Sequence, residues 1–215
     1  MVCVGRNYAA HALELNNKLP TSPMFFLKPA TSVVYQPGPV VLPRGCGPQH
    51  EVEMAVEFGA AMHKVRGDSE AWGGVRGFRL ACDVTARKWQ AEAKAASLPW
   101  TKAKGANTFL PLGPLVEKSE LVGGDAAAGG VGSVEIYAKV NGVTRQRAFL
   151  NEMVWTIPEL IVHLTSFMRV EPGDLLLTGT PSGVGDLHGG DLLELGASHP
   201  AFGPPLKFKC EDEEA

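Results

Sequence analysis

The sequence predicts a strand-rich fold carrying a few short helices, and three observations lead there. Glycine (25) and proline (16) exceed their usual shares in a chain of 215 residues, so the backbone turns often. His50-Glu51-Val52-Glu53-Met54-Ala55-Val56-Glu57-Phe58 alternates with period two, Val52, Met54, Val56 and Phe58 on one face and Glu51, Glu53 and Glu57 on the other. Asn141-Gly142 between Val134–Val140 and Val143–Arg147 is a strong hairpin signal.

The length suits one domain over 1–215. Hydrophobic residues at 45% and charged residues at 20% argue against disorder, and no apolar run approaches the ~20 residues of a spanning helix. Lys+Arg 20 against Asp+Glu 23, a net charge of -3, argues against nucleic acid as partner. Cys3, Cys46, Cys82 and Cys210 are widely spaced without a CxxC pair, which argues against structural zinc. No signal peptide precedes the chain, so reduced core thiols in an intracellular protein are expected.

Along the chain, a first helix is expected from Asn7 to Asn16, capped by Asn7, with Tyr8, Leu13 and Leu15 as its apolar contacts. Met24–Lys28 reads as a short buried strand ended by Pro29. Residues 31–49, with four prolines, read as strand pieces and turns. Gly77–Asp83 reads as a strand leading into a helix over 85–93, with Thr85 as N-cap. Residues 121–133, LVGGDAAAGGVGS, read as a flexible loop. Thr156-Ile157-Pro158-Glu159 is a capping box, opening a helix whose buried stripe is Leu160, Ile161, Leu164, Phe167 and Met168. Strands are expected at Asp174–Thr178, Asp191–Leu195 and Leu206–Lys209, and the acidic end, 211–215, as a frayed tail.

Glu51-x-Glu53 is the most informative pair. On a strand, i and i+2 share a face about 7 Å apart, and two buried carboxylates that close call for a cation. A hard divalent ion meets this need; the solvent side of an edge strand is the other reading. Asp83 ends a strand, where it could face a ligand or cap the next helix. His11 and Glu14, at i and i+3, are either a base with its orienting carboxylate or an exposed helix pair. Lys102 and Lys104 could bind a substrate carboxylate or be solvated. Leu177–Gly185 enters a Gly-rich turn without the Lys-Ser/Thr ending of a phosphate loop, and its N–H groups and the Thr180 hydroxyl could hold a carboxylate.

Six segments occur together in order: Val4-Gly5-Arg6-Asn7-Tyr8 with His11; Phe26-Leu27-Lys28-Pro29; His50-Glu51-Val52-Glu53; Asp83-Val84-Thr85-Ala86-Arg87; Leu98-Pro99-Trp100-Thr101 with Lys104; and Leu177–Gly185. The chain thereby resembles the fumarylacetoacetate hydrolase superfamily, especially its acylpyruvase and oxaloacetate decarboxylase branch, from Val2 to about Lys209. The resemblance implies a mixed, strand-rich α+β fold with rolled β-sheets, in a homodimer. It implies Mg²⁺ or Mn²⁺ held by Glu51, Glu53 and Asp83. It implies a His11–Glu14 dyad on a helix that orders as a lid, with Lys104 near the substrate completing the catalytic set. Gln90 would stand near the attacking water or the substrate oxygens, and Arg6, Lys28 and Thr180 would be ligand contacts. The chain departs from the family pattern in having only three residues ahead of Val4-Gly5-Arg6, so the first strand is expected short or absent, and in Gly105-Ala106-Asn107-Thr108 after Lys104.

The chemistry so implied is Mg²⁺-dependent C–C hydrolysis of acylpyruvates through a metal-stabilised pyruvate enolate, with oxaloacetate decarboxylation through the same enolate. An isomerase or decarboxylase of unsaturated dicarboxylic 2-oxo acids is the alternative, and a member that only binds metal or partners is a third. The expected partner is a small 2-oxo acid, with neither nucleic acid nor membrane; the compartment is cytoplasmic or mitochondrial.

Overall fold

The computed structural model describes residues 1–14, 19–121 and 129–214. A six-stranded sheet runs in the order Val116–Glu117, Val75–Cys82, Val52–Phe58, Leu175–Leu177, Val2–Gly5, Met24–Leu27. A five-stranded sheet runs in the order Val143–Phe149, Glu135–Val140, Leu192–Ala197, Leu206–Asp212, Val40–Leu42. Gly185–Asp186, Pro48–His50 and Thr85–Ala86 form a small third sheet, and Val33–Val34 pairs with Leu110–Pro111. Val2–Gly5 with Leu175–Leu177 and Leu206–Asp212 with Val40–Leu42 are parallel pairs among mainly antiparallel neighbours. With short helices at Ala9–Glu14, Arg87–Ala95 and Ile157–Thr165, the class is mixed α+β, as the sequence predicts.

The core follows from the alternation. Val52, Met54, Val56 and Phe58, with Phe78 and Leu80 from the next strand, pack with Ile136, Leu193, Leu195 and Phe208 of the five-stranded sheet. Each such burial contributes about 1.5–3 kcal/mol. The other face is covered too: Ala55 joins Cys3, Ala81, Leu110, Leu112, Leu175 and Leu177 in a second core. Val52–Phe58 is hydrogen-bonded on both edges and buried throughout, so the solvent-facing reading of its glutamates does not hold. Glu57 is buried but neutralised by Arg79 Nε (2.6 Å) and Arg76 Nη1 (3.1 Å), away from any ligand role. All four cysteines are free and buried.

The hairpin turns through Asn141 (φ 53°) and Gly142 (φ 77°), the left-handed pair its sequence calls for. The Thr156–Glu159 capping box forms, but its helix ends at Thr165, which leaves Phe167 exposed beyond the buried stripe. The first strand is present and short, at Val2–Gly5. Two expected caps do other work. Asn7 Nδ2 donates to Thr178 O (2.8 Å) and Trp155 O (3.1 Å), and its Oδ1 accepts from Trp155 N–H (2.8 Å), tying the entry of the Ala9–Glu14 helix to the sheet. Thr85 lies in a strand, and the helix starts after Ala86. Leu13 is exposed, whereas Leu15 and the expected end of that helix at Asn16 lie outside the described residues. Of the expected 121–133 loop, 122–128 lie outside them also, and Gly129–Gly132 makes one helical turn. The acidic end is not frayed throughout: Glu211 and Asp212 pair with Val41 and Leu42, a long-range backbone contact that a charge run does not reveal.

Gly183 has φ 94°, and a Cβ there would overlap the Arg145 carbonyl oxygen. Gly183→Ala is expected to lower stability by about 1–3 kcal/mol, read as a fall in the thermal midpoint. An unchanged midpoint would contradict this close approach.

Candidate active site

Antiparallel register brings the acidic residues together. Val52 stands opposite Cys82 and Glu53 opposite Ala81; one step further, the Asp83 N–H donates to Glu51 O (2.8 Å). Alternation then turns Glu51, Glu53 and Asp83 to one side. One carboxylate oxygen from each lies within 4.8 Å of the others, and all three residues are buried.

Three cations hold this cluster. Lys104 Nζ donates to Asp83 Oδ2 (2.5 Å), Thr85 Oγ1 (2.7 Å) and Glu51 Oε2 (2.9 Å), which commits all its protons. Arg87 Nη2 donates to Glu51 Oε1 (2.5 Å). Lys28 Nζ stands 2.8 Å from Asp83 Oδ1. Two of its three protons go to the carbonyls of Val84 and Lys104, and its contact with Asp83 Oδ1 is an ion pair that leaves this oxygen without a hydrogen-bond partner. Lys28 is therefore a buried support behind Asp83, not the ligand contact expected of it; it does not line the pocket.

Burial alone would raise the Glu51 carboxyl; Lys104 and Arg87 outweigh it and bring the pKa down to about 2. Burial disfavours the Lys104 ammonium, but Asp83 and Glu51 reverse this and raise its pKa. Glu53 is raised well above the carboxylate range, by burial and then by the charges of Asp83 and Glu51. Its described partner is the Gly179 N–H, to Oε2 (2.7 Å). The Glu53 carboxylate and Asp83 Oδ1 are thus the groups a further cation would satisfy. Three carboxylates without thiolate or imidazole suit Mg²⁺ or Mn²⁺, so the residues present fit such an ion.

A pocket opens onto the cluster, lined by Arg6, His11, Gln90, Lys104 and Thr180 beside Glu51 and Glu53, with Phe26 and Trp100 as its apolar wall. His11 is buried, and its Nδ1 meets Glu14 Oε2 (3.1 Å). The Gly183 N–H donates to Glu14 Oε1 (3.0 Å), which docks the dyad on the Gly-rich turn. Arg87 Nη1 donates to Gln90 Oε1 (2.8 Å), leaving the Gln90 NH₂ as a donor.

Gln146 reaches in from the second sheet. Its Oε1 accepts from the Val52 N–H (3.0 Å) and contacts His50 Nδ1 (2.8 Å); its Nε2 donates to Thr180 Oγ1 (2.8 Å) and Pro181 O (2.8 Å). The Val52 N–H decides which end of the amide is which. Burial lowers the pKa of His50, with the Gln146 hydrogen bond opposing. The Thr180 hydroxyl donates to Val52 O (2.9 Å). Thr180 therefore meets the pocket as an acceptor, and holding a carboxylate by this hydroxyl does not match the geometry. Arg87, Thr85 and Gln146 are site residues that the sequence reading missed; Arg87 and Thr85 carried a signal as members of Asp83-Val84-Thr85-Ala86-Arg87, and Gln146 carried none.

The family model of the fumarylacetoacetate (FAA) hydrolase C-terminal domain matches residues 1–204. The chain is 41% identical over 197 residues to a mitochondrial oxaloacetate tautomerase of Arabidopsis thaliana, covering 91% of this chain and 85% of that protein. It is 40% identical over 198 residues to a mitochondrial oxaloacetate decarboxylase of Dictyostelium discoideum, covering 91% and 87%. Its structure is similar to that of fumarylpyruvate hydrolase from Pseudomonas aeruginosa in complex with Mn²⁺ and pyruvate: TM-score 0.87, 30% identity, 99% and 89% of the two chains.

Lys104→Met leaves Glu51 and Asp83 short of a counter-ion. In the metal-free protein it is expected to cost about 3–5 kcal/mol, read by urea unfolding, and saturating Mg²⁺ should stabilise the variant more than the wild type. Equal Mg²⁺ effects in both would contradict a cluster shared between ammonium and metal.

Proposed function

This chain belongs to the fumarylacetoacetate hydrolase family, and from that premise we propose that it is a Mg²⁺- or Mn²⁺-dependent enzyme of small 2-oxo acids, with oxaloacetate first among them. The observation that carries the reading is one pocket lined by Glu51 and Glu53 together with His11, Asp83 completing the acidic cluster and Glu14 bonded to the His11 ring. The oxaloacetate relatives at 40–41% identity support the substrate.

Glu51, Glu53 and Asp83 would hold the ion. Once bound there, it supplies Lewis-acid stabilisation of negative charge developing on the carboxylate and keto oxygens of a 2-oxo acid. Lys104, Lys28 and Thr85 keep the carboxylates in place. Glu14 engages His11 Nδ1, fixes the ring and leaves Nε2 to take or return a proton. The Gln90 NH₂ can donate to a substrate oxygen, and Thr180 can accept from a hydroxyl. Phe26 and Trp100 limit water at the reacting end. Loss of a C3 substituent leaves an enolate of pyruvate; with oxaloacetate the leaving group is carbon dioxide.

C–C hydrolysis of acylpyruvates is a second reading, favoured by the dyad: His11 could deprotonate a water that attacks the distal carbonyl. The homodimer implied by the family resemblance belongs to the same proposal. The mitochondrial relatives support an intracellular site of action, and among the described residues no helix is long and apolar enough to cross a membrane.

The test is turnover of oxaloacetate, acetylpyruvate, fumarylpyruvate and fumarylacetoacetate with Mg²⁺, with and without chelator. Oxaloacetate should turn over, stop with chelator and resume with Mg²⁺. His11→Ala and Glu14→Gln should lower any acylpyruvate hydrolysis by on the order of 10²–10⁴ and oxaloacetate decarboxylation less. Chelator-resistant turnover would reject the metal-dependent reading; equal losses on both substrates would reject water activation by the dyad.

A further inference from the structure

Two cations of the pocket have no part in the geometry described so far. Arg6 and Lys94 line it together with Glu51, Glu53 and His11. The ion pairs around the cluster are made by Lys28, Arg87 and Lys104, and among the described residues Arg6 and Lys94 take part in none. Those three cations pair with Glu51 and Asp83 and already equal the three carboxylates of the cluster in number, so Arg6 and Lys94 are positive charges in addition to them.

Both are held by the fold. Arg6 has φ 60°, a left-handed conformation that a residue with a side chain adopts only when its surroundings demand it. The next residue, Asn7, is anchored by side-chain hydrogen bonds to Trp155 and Thr178. Lys94 follows Arg87 and Gln90 by seven and four residues on the Arg87–Ala95 helix, so the three share one stripe. Its ammonium lies 5.1 Å from the Trp100 ring centroid, a contact that orients the charge without neutralising it. Partial desolvation of the ammonium, and then the positive charges of Arg87, Arg6 and Lys104, lower its pKa; a bound anion would relieve that crowding.

We propose that Arg6 and Lys94 form a second anion subsite, which takes the distal carboxylate of a 2-oxo dicarboxylic acid whose 2-oxo acid end lies at Glu51, Glu53 and Asp83. The inference rests on the 2-oxo acid reading above and narrows it: short dianions are preferred over acylpyruvates with a neutral tail.

Two non-reacting probes separate the ideas. N-methyloxamate and N-oxalylglycine offer the same chelating head and differ in the distal carboxylate. Calorimetry with the Mn²⁺-loaded full chain should show N-oxalylglycine binding about tenfold tighter or more, an advantage that shrinks as salt rises. Arg6→Asn, which tolerates the left-handed backbone, combined with Lys94→Met should abolish the advantage and leave N-methyloxamate within about twofold of wild type. Lys94→Glu alone, on an exposed helix position, should reverse the preference. Equal wild-type affinities, or a preference that survives the double variant, would overturn the subsite and leave the 2-oxo acid reading standing. N-methyloxamate that binds no better with Mn²⁺ than without would overturn that reading itself.

Discussion

The ammonium of Lys104, buried between Glu51 and Asp83, is the interaction on which this structure turns. Three carboxylates inside a protein of ordinary stability, about 5–15 kcal/mol, are a large electrostatic load, since one unpaired buried charge can remove about 3–5 kcal/mol. The load is borne by cations from three separate segments: Lys28 after the Met24–Leu27 strand, Arg87 at the start of its helix and Lys104 at the end of Thr101–Lys104. Each of these segments must dock for the cluster to be tolerated. The site is therefore also a condition of the fold, and the large apolar cluster on one side of Val52–Phe58, with the small one on the other, supplies the energy that offsets it.

Gln146 shows how the second sheet enters this arrangement. One amide satisfies the Val52 N–H, contacts His50 and fixes both Thr180 and Pro181. The strand carrying the glutamates and the turn carrying Thr180 and Gly183 thus share a single brace, and the polarity of Thr180 toward the pocket is decided by a residue that does not line it.

What could be read from residues alone divides by distance along the chain. Glu51 and Glu53 were legible because strand periodicity is local, and Asp83 because it ends an apolar run; which face was covered was not, since that depends on Leu110, Leu112 and Leu177 arriving from elsewhere. The capping box at Thr156 and the turn at Asn141-Gly142 were legible for the same local reason. Asn7 and Thr85 read as helix caps because their types favour caps, yet partners distant in sequence, Trp155 and Lys104, claim their side chains. Gln146 left no trace in sequence: its contact with Val52 spans 94 residues and a glutamine on a mostly exposed strand carries no pattern. The α+β class was legible from composition and pattern together with the six ordered segments.

The cysteines make the protein its own clock. Cys82 Sγ accepts from the Glu51 N–H (3.4 Å), and Cys3 lies in the small core with Ala81 and Leu177. Burial first, and carboxylates nearby, raise the pKa of both thiols and keep them protonated. A thiol reagent therefore meets them only when the six-stranded sheet opens around the glutamates, whereas Cys210 lies in the five-stranded sheet and Cys46 between Val40–Leu42 and Pro48–His50. Labelling resolved by site would time the breathing of the six-stranded sheet against that of the rest of the chain, with no residue exchanged.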